Sequence, residues 1–167
     1  MQNRLLLYDV AEAHEALFAQ RQGEDRVFSA NPLVKHCIGC FGCWVKTPGR
    51  CVIQDRCAVM PGYLAQCRRL VIVSPLWYGG YSQSIKAVLD RSIGYLLPYF
   101  RLVGGAMHHQ MRCDNPFALD VHFYGGADEG EIQLARRLVA GNAVNFGAGS
   151  CTVQFHPTAD AACEAVL

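Results

Sequence analysis

Leu70-Val71-Ile72-Val73-Ser74-Pro75-Leu76-Trp77-Tyr78-Gly79-Gly80-Tyr81-Ser82 is an apolar, β-branched run that breaks into Ser-Pro, aromatics, a glycine pair and a hydroxyl. Four apolar residues without alternation predict a strand buried on both faces, as at the centre of a parallel sheet. Pro75 ends it, because proline lacks a ladder donor and fixes its own φ. The glycines allow close backbone approach, and Trp77, Tyr78 and Tyr81 offer apolar faces, so the loop suits a flat ring. Ser82 is placed to cap a helix over residues 82–97 that Pro98 stops. Open α/β sheets bind ligands where a central strand delivers its carboxyl end to such a loop.

Outward from this segment the chain alternates strands and helices. Arg4–Tyr8 reads as the first strand, and residues 10–20 as a helix with Asp9 as its N-cap. Arg26–Ser29 reads as the second strand, and Asn31-Pro32 turns the chain into a cysteine-rich loop over about 31–57. Residues 61–69 read as a helix with proline in its first turn. Residues 101–116 show no period and read as an irregular excursion or lid. Residues 117–124 read as a strand, 128–140 as a helix that Asp128 caps, and 151–155 as the last strand. The alternation predicts a doubly wound parallel α/β sheet in a single domain spanning residues 1–167.

Composition narrows the function classes. The chain has 167 residues, 51% of them apolar, and a formal net charge of +1. It therefore offers no basic stripe for nucleic acid. Pro, Gly or Arg interrupts every apolar run short of a membrane span, and the first residues do not read as a signal peptide. A cytoplasmic protein with no nucleic-acid or membrane partner is the expectation. Nine cysteines then read as reduced thiols, metal ligands or redox groups rather than a disulfide frame.

Four of these cysteines are patterned: Cys37-Ile38-Gly39-Cys40-Phe41-Gly42-Cys43, then Cys51, a C-x2-C-x2-C-x7-C spacing. Such thiolates can hold zinc or an iron–sulfur cube, with Pro48-Gly49 returning Cys51 to the first three. They can equally pack an interior, since cysteine is among the most buried residue types. Cys57, Cys67, Cys113, Cys151 and Cys163 are scattered and read as core filling. His108-His109 read as a surface loop and His36 as solvent-facing. His14, His122 and His156 carry no pattern. No Gly-x-Ser-x-Gly, His-Glu-x-x-His or strand-borne Gly-x-Gly-x-x-Gly occurs.

Ser74-Pro75-x-x-Tyr78-Gly79-Gly80-Tyr81-Ser82, with Lys86 and Asp90-Arg91 on the next helix, resembles the flavodoxin-like NAD(P)H-dependent FMN reductases. That family includes the iron–sulfur flavoproteins. Its flavin reductases also keep Cys-x-Gly-Cys-x-x-Cys and Pro-Gly-x-Cys-x-Ile-x-Asp, matched here by 37–43 and 48–55. The resemblance implies a three-layer, five-stranded flavodoxin-like sheet and, with it, a homodimer. It implies FMN with its ring on Pro75, Leu76, Trp77, Tyr78, Gly79, Gly80, Tyr81 and Ser82. NAD(P)H would pass hydride to flavin N5, and an unidentified acceptor would take the electrons. Lys86 and Arg91 would brace helix and interface. The iron–sulfur alternative makes Cys37, Cys40, Cys43 and Cys51 cluster ligands. Tyr124-Gly125-Gly126 either meets the flavin's far edge or is a plain turn.

One part of the family pattern is absent. The first strand should lead into a Gly/Ser/Thr loop that cradles the FMN phosphate at a helix N-terminus. Here it leads into Tyr8-Asp9-Val10-Ala11-Glu12-Ala13-His14-Glu15. Each solvated carboxylate near a phosphate repels it by about 1 kcal/mol. Three readings follow: FMN held weakly through another phosphate site, a flavin without a terminal phosphate, or a flavin-free relative acting as an interaction or thiol-metal module.

Overall fold

The computed structural model describes residues 4–167. Its elements run β1 (Arg4–Tyr8), α1 (Glu12–Ala19), β2 (Arg26–Ser29), α2 (Gly42–Val45), α3 (Met60–Gln66), β3 (Arg69–Pro75) and α4 (Gln83–Arg91). They continue with β4 (Leu96–Val103), β5 (Ala106–Met111), β6 (Ala118–Tyr124), α5 (Glu129–Phe146), β7 (Ser150–His156) and α6 (Ala159–Val166). Five strands pair in parallel in the order β2-β1-β3-β6-β7, the flavodoxin-like order.

Alternation along the central strands divides the core. Leu5, Leu7, Leu70, Ile72, Leu119, Val121 and Phe123 face α3, α4 and α5. Leu6, Tyr8, Val71 and Val73 face α1 and α6, meeting Phe18, Ala162, Cys163 and Val166. Both faces of β1 and β3 are thus covered, which is why these strands read as unbroken apolar runs.

Several elements differ from the sequence reading. Asp9 does not cap α1; Ala11 holds that position with no side-chain bond. Asn31 Nδ2 instead donates to the Asp9 carboxylate at 2.6 Å. The helix after Ser82 stops at Arg91, six residues before the expected end. Ser92 Oγ there donates back to the Val88 carbonyl at 2.8 Å, a side-chain bond that competes with helix continuation. A 3-10 turn (Ser92–Tyr95) follows, and Pro98 lies within β4 rather than after a helix.

The supposed irregular excursion is an antiparallel hairpin of β4 and β5, which no apolar alternation announced because Tyr99, Phe100, Leu102 and Met107 are exposed. α3 begins and ends earlier than expected, behind a 3-10 turn (Arg56–Val59) that Asp55 caps. α5 runs past Gly141 to Phe146, since Ala143 and Phe146 are both buried. A further helix, α6, closes the chain, capped by the Thr158 hydroxyl, which accepts from Ala161 N–H.

Candidate functional site

The strand order reverses between β1 and β3: β2 lies outside β1, and β6 and β7 lie outside β3. Crossovers leave in opposite directions there and open a crevice at the carboxyl ends of the two strands. Asp9 to Ala11, Asn31, the turn after Pro75, and Tyr124 to Gly126 follow the strands that end at this edge.

After β3 the chain closes a two-residue turn. Trp77 N–H donates to the Gly80 carbonyl at 3.0 Å, and Gly80 N–H to the Trp77 carbonyl at 2.9 Å. Both inner residues are left-handed, Tyr78 at φ 51° and Gly79 at φ 74°. Gly79 is obligatory for a second reason, because a Cβ there would lie 2.8 Å from the Leu134 side chain of α5. The turn is anchored behind: Ser82 N–H donates to Ser74 Oγ at 2.9 Å, and Ser82 Oγ accepts from Ile85 N–H at 3.3 Å, capping α4. Trp77 is consequently 51% and Tyr78 92% exposed on a rigid base.

The other residues expected to touch a ring divide by burial. Leu76, Gly79, Tyr81 and Ser82 are buried; Pro75, Gly80 and Tyr124 are half-buried; Gly125 and Gly126 are exposed. Leu76 N–H donates to the Tyr124 carbonyl at 2.9 Å, which brings the β3 turn beside the glycine pair. Gly125 N–H is committed to the His156 carbonyl at 3.1 Å. Tyr81 packs on Phe123 with ring centroids 5.3 Å apart, and burial pushes its hydroxyl up to about 12.

The turn after β1 is closed and anionic. Asp9 is only 9% exposed, held by Asn31, and its carbonyl accepts from Tyr124 Oη at 2.9 Å. Glu12 and Glu15 occupy the first turn of α1. Ser29, a nearby hydroxyl, donates to Glu15 at 2.9 Å. These residues do not fit the phosphate of FMN: the turn presents carboxylates where a phosphate needs amides and hydroxyls.

Beyond the ring turn lies a cavity of about 630 Å³, walled by the cysteine-rich loop, α4, the β4–β5 hairpin and α5. Trp44, Tyr81, Leu89, His109, Leu138 and Phe146 line it, together with Cys37, Cys40, Cys43 and Cys51. Trp44 is fixed by its Nε1–H to the Leu96 carbonyl at 3.0 Å. The loop is fastened by Arg91, buried to 1% exposure, which ion-pairs with Asp55 and donates to the carbonyls of Lys35 (3.1 Å) and Ile53 (3.0 Å). Lys86 pairs with Asp90 along α4. Both cations therefore brace elements of their own chain.

The four patterned cysteines share this cavity without forming a ligand set. Cys37 and Cys40 are exposed, whereas α2 turns Cys43 inward and Cys51 is buried. Among the described residues, no three His, Cys, Asp or Glu side chains converge to hold a metal ion. Burial, then the neighbouring Cys51, raises the Cys43 thiol. Cys57 and Cys67 fill the core as expected, their thiols pushed up by burial to about 12 and about 11. Cys163 is likewise buried, but Cys151 is exposed and Cys113 half-buried, so neither fills a core. Sequence reading missed the hairpin wall and His109. It also missed the stacking of His122 on His156, which lie two positions apart along paired strands β6 and β7.

No family model matches the chain, and no curated protein matches it. Its architecture is similar to that of an NAD(P)H:quinone oxidoreductase from Methanothermobacter marburgensis, with TM-score 0.58, 13% identity, and coverage of 99% of this chain and 93% of that one. It is also similar to FerB, a flavoenzyme NAD(P)H:(acceptor) oxidoreductase from Paracoccus denitrificans, with TM-score 0.54, 9% identity, and coverage of 91% and 76%. An NADH:FMN oxidoreductase in its apo form gives TM-score 0.52 and 13% identity, covering 93% and 76%. At these identities what is shared is the fold.

Proposed function

We propose that this chain is a flavin-dependent NAD(P)H oxidoreductase. The observation that carries the reading is the exposed Trp77–Tyr78 pair on its anchored turn, beside the open Gly125–Gly126 segment, at the crevice where β1 and β3 diverge. Flat aromatic faces beside unobstructed backbone suit a flat, amphipathic ring. The two NAD(P)H oxidoreductases named above share the fold, and FerB among them is a flavoenzyme, which supports the same reading. In it, Trp77, Tyr78, Gly125 and Gly126 bind the ring, while the buried Ser74–Ser82 hydrogen bond holds the aromatic turn and the His156 carbonyl holds Gly125. The redox chemistry belongs to the cofactor, and the chain's part is to bind and orient it.

The acceptor is unassigned in this reading. An apolar one fits the cavity behind Tyr81, whose walls are largely aliphatic and aromatic. Assembly as a homodimer belongs to the same proposal, supported by Phe100, Leu102 and Met107 standing exposed on the hairpin.

Flavin titration followed by fluorescence quenching tests the proposal, with NADH and NADPH oxidation measured in the presence of a dye acceptor. Wild-type protein should quench a flavin and oxidise a nicotinamide. Trp77→Ala/Tyr78→Ala should lose most of the quenching while keeping its fold by circular dichroism. Equal quenching by this variant would remove the ring from this turn.

A further inference from the structure

We infer that the site takes an uncharged flavin, riboflavin being the simplest, in preference to FMN. The inference rests on the flavin reading above and deepens it. In a sheet of this order, a bound nucleotide meets the turns at the β1/β3 divergence, and its anionic end seeks a helix N-terminus. The helix there is α1, and its entry is built against an anion.

Three independent features make it so. The Asp9 carboxylate is buried at the carboxyl end of β1, and Asn31 donates to it at 2.6 Å, which fixes its position. Glu12 and Glu15 add two carboxylates within the first turn. The Ser29 hydroxyl donates to Glu15 Oε1, and the N-cap residue Ala11 offers no side-chain bond. A phosphate monoester carries most of two negative charges at neutral pH. Against this turn it meets like charge, with Asp9 sheltered from screening by solvent.

The same residues suit a neutral polyol. Ribityl hydroxyls are donors, and carboxylates are acceptors only. The end of the cofactor that distinguishes riboflavin from FMN therefore falls where carboxylate acceptors stand and the neighbouring donors, Ser29 Oγ, Asn31 Nδ2 and the Arg56 guanidinium, are already bonded within the chain. The ring turn at Trp77 and Tyr78 lies outside this cluster, so ring binding and phosphate exclusion are separable.

The test is a parallel titration of the full chain with riboflavin and with FMN, read by flavin fluorescence quenching at low and high salt. Riboflavin should bind more tightly by about tenfold or more at low salt, and the gap should narrow as salt screens the carboxylates. Asp9→Asn/Glu12→Gln/Glu15→Gln should tighten FMN and narrow its gap to riboflavin, the amide oxygens remaining as acceptors for ribityl hydroxyls. The exposed single variant Glu12→Gln, which touches no core contact, should move FMN affinity the same way by about twofold. Wild-type protein that binds FMN as tightly as riboflavin would overturn the preference and leave the flavin reading standing. FMN affinity indifferent to both variants and to salt would overturn the carboxylates as its cause. Failure of both flavins to bind would overturn the inference together with the reading beneath it.

Discussion

Tyr124 donates its hydroxyl to the main-chain carbonyl of Asp9 at 2.9 Å, tying the end of β6 across β3 to the turn after β1. One bond thereby couples the glycine-pair side of the crevice to its acidic side. Leu76 N–H, bonded to the Tyr124 carbonyl, ties the ring turn to the same residue.

Removing that hydroxyl should loosen the acidic turn. Tyr124→Phe is expected to cost about 1 kcal/mol, the net worth of one hydrogen bond, as measured by urea unfolding. Burial, then the nearby Asp9 charge, pushes the phenol up to about 12. Its contribution is therefore complete below pH 10 and is lost as pH rises from 10 through about 12. Tyr124→Phe should show a flatter stability profile across that alkaline window than wild type.

Arg91 and Asp55 hold the cysteine-rich loop to α4. Arg91→Met takes the donor from the Lys35 and Ile53 carbonyls and the paired cation from the Asp55 carboxylate, so a loss of about 3 kcal/mol is expected by chemical denaturation. Burial acts to raise the Asp55 carboxyl, but the Arg91 hydrogen bond and the Cys57 amide outweigh it, and the net shift is downward. Stability from this group is present above its ordinary value near 4 and is lost as pH falls through the lower folded value. Asp55→Asn should be less stable at neutral pH and less sensitive to acid than wild type.

What the sequence disclosed and what it hid follow from range. β3, the Ser82 cap and the Asp128 cap were legible because each is decided within four residues, by apolar run or by a side chain reaching its own helix. Asp9 was misread because its partner, Asn31, comes from another turn 22 residues along. The hairpin escaped because its large apolar residues face solvent, leaving no alternation to find. At the candidate site, the aromatic turn and glycine pair were named, but that Gly79 is pinned by Leu134 depends on how α5 packs. The cavity is similar: its cysteines were visible as a motif, whereas its walls come from four separate elements.

Gly79 should resist substitution for two reasons that add. Its φ of 74° disfavours any side chain, and the added Cβ would press on Leu134. Gly79→Ala is expected to lower stability by about 1–3 kcal/mol. Gly79→Ala/Leu134→Ala should recover the steric part of the effect on ring-turn conformation, read through Trp77 fluorescence, while the backbone part persists. Full recovery would show that the conformation of residue 79 costs nothing.

Cysteine reactivity should sort by exposure. Cys37, Cys40 and Cys151 are exposed, so iodoacetamide should modify them first in the folded protein. Cys57 and Cys67, buried with thiols raised to about 12 and about 11, should react only after unfolding. Peptide mass spectrometry over a labelling time course checks the order, and early modification of Cys57 would contradict the packing of the loop against α4.

His122 lies on the face of the sheet away from α4, opposite its neighbours Val121 and Phe123. His122 and His156 stack with ring centroids 5.2 Å apart and 11° between planes, and their Nδ1 and Nε2 atoms lie 3.1 Å apart. One ring must donate and the other accept, which requires at least one neutral imidazole. Burial, then the neighbouring His156, lowers His122 despite the opposing charge of Asp120; burial lowers His156. A lowered base means that the unfolded chain takes up protons first as pH falls through about 6.5. Stability is then complete above that value and declines on acidification until the folded values are passed. Unfolding midpoints should fall between pH 7 and pH 5, and His122→Gln should remove much of that slope, because a neutral amide retains a polar partner for His156 without a proton to gain. An unchanged slope in His122→Gln would assign the acid sensitivity in that window to groups other than His122.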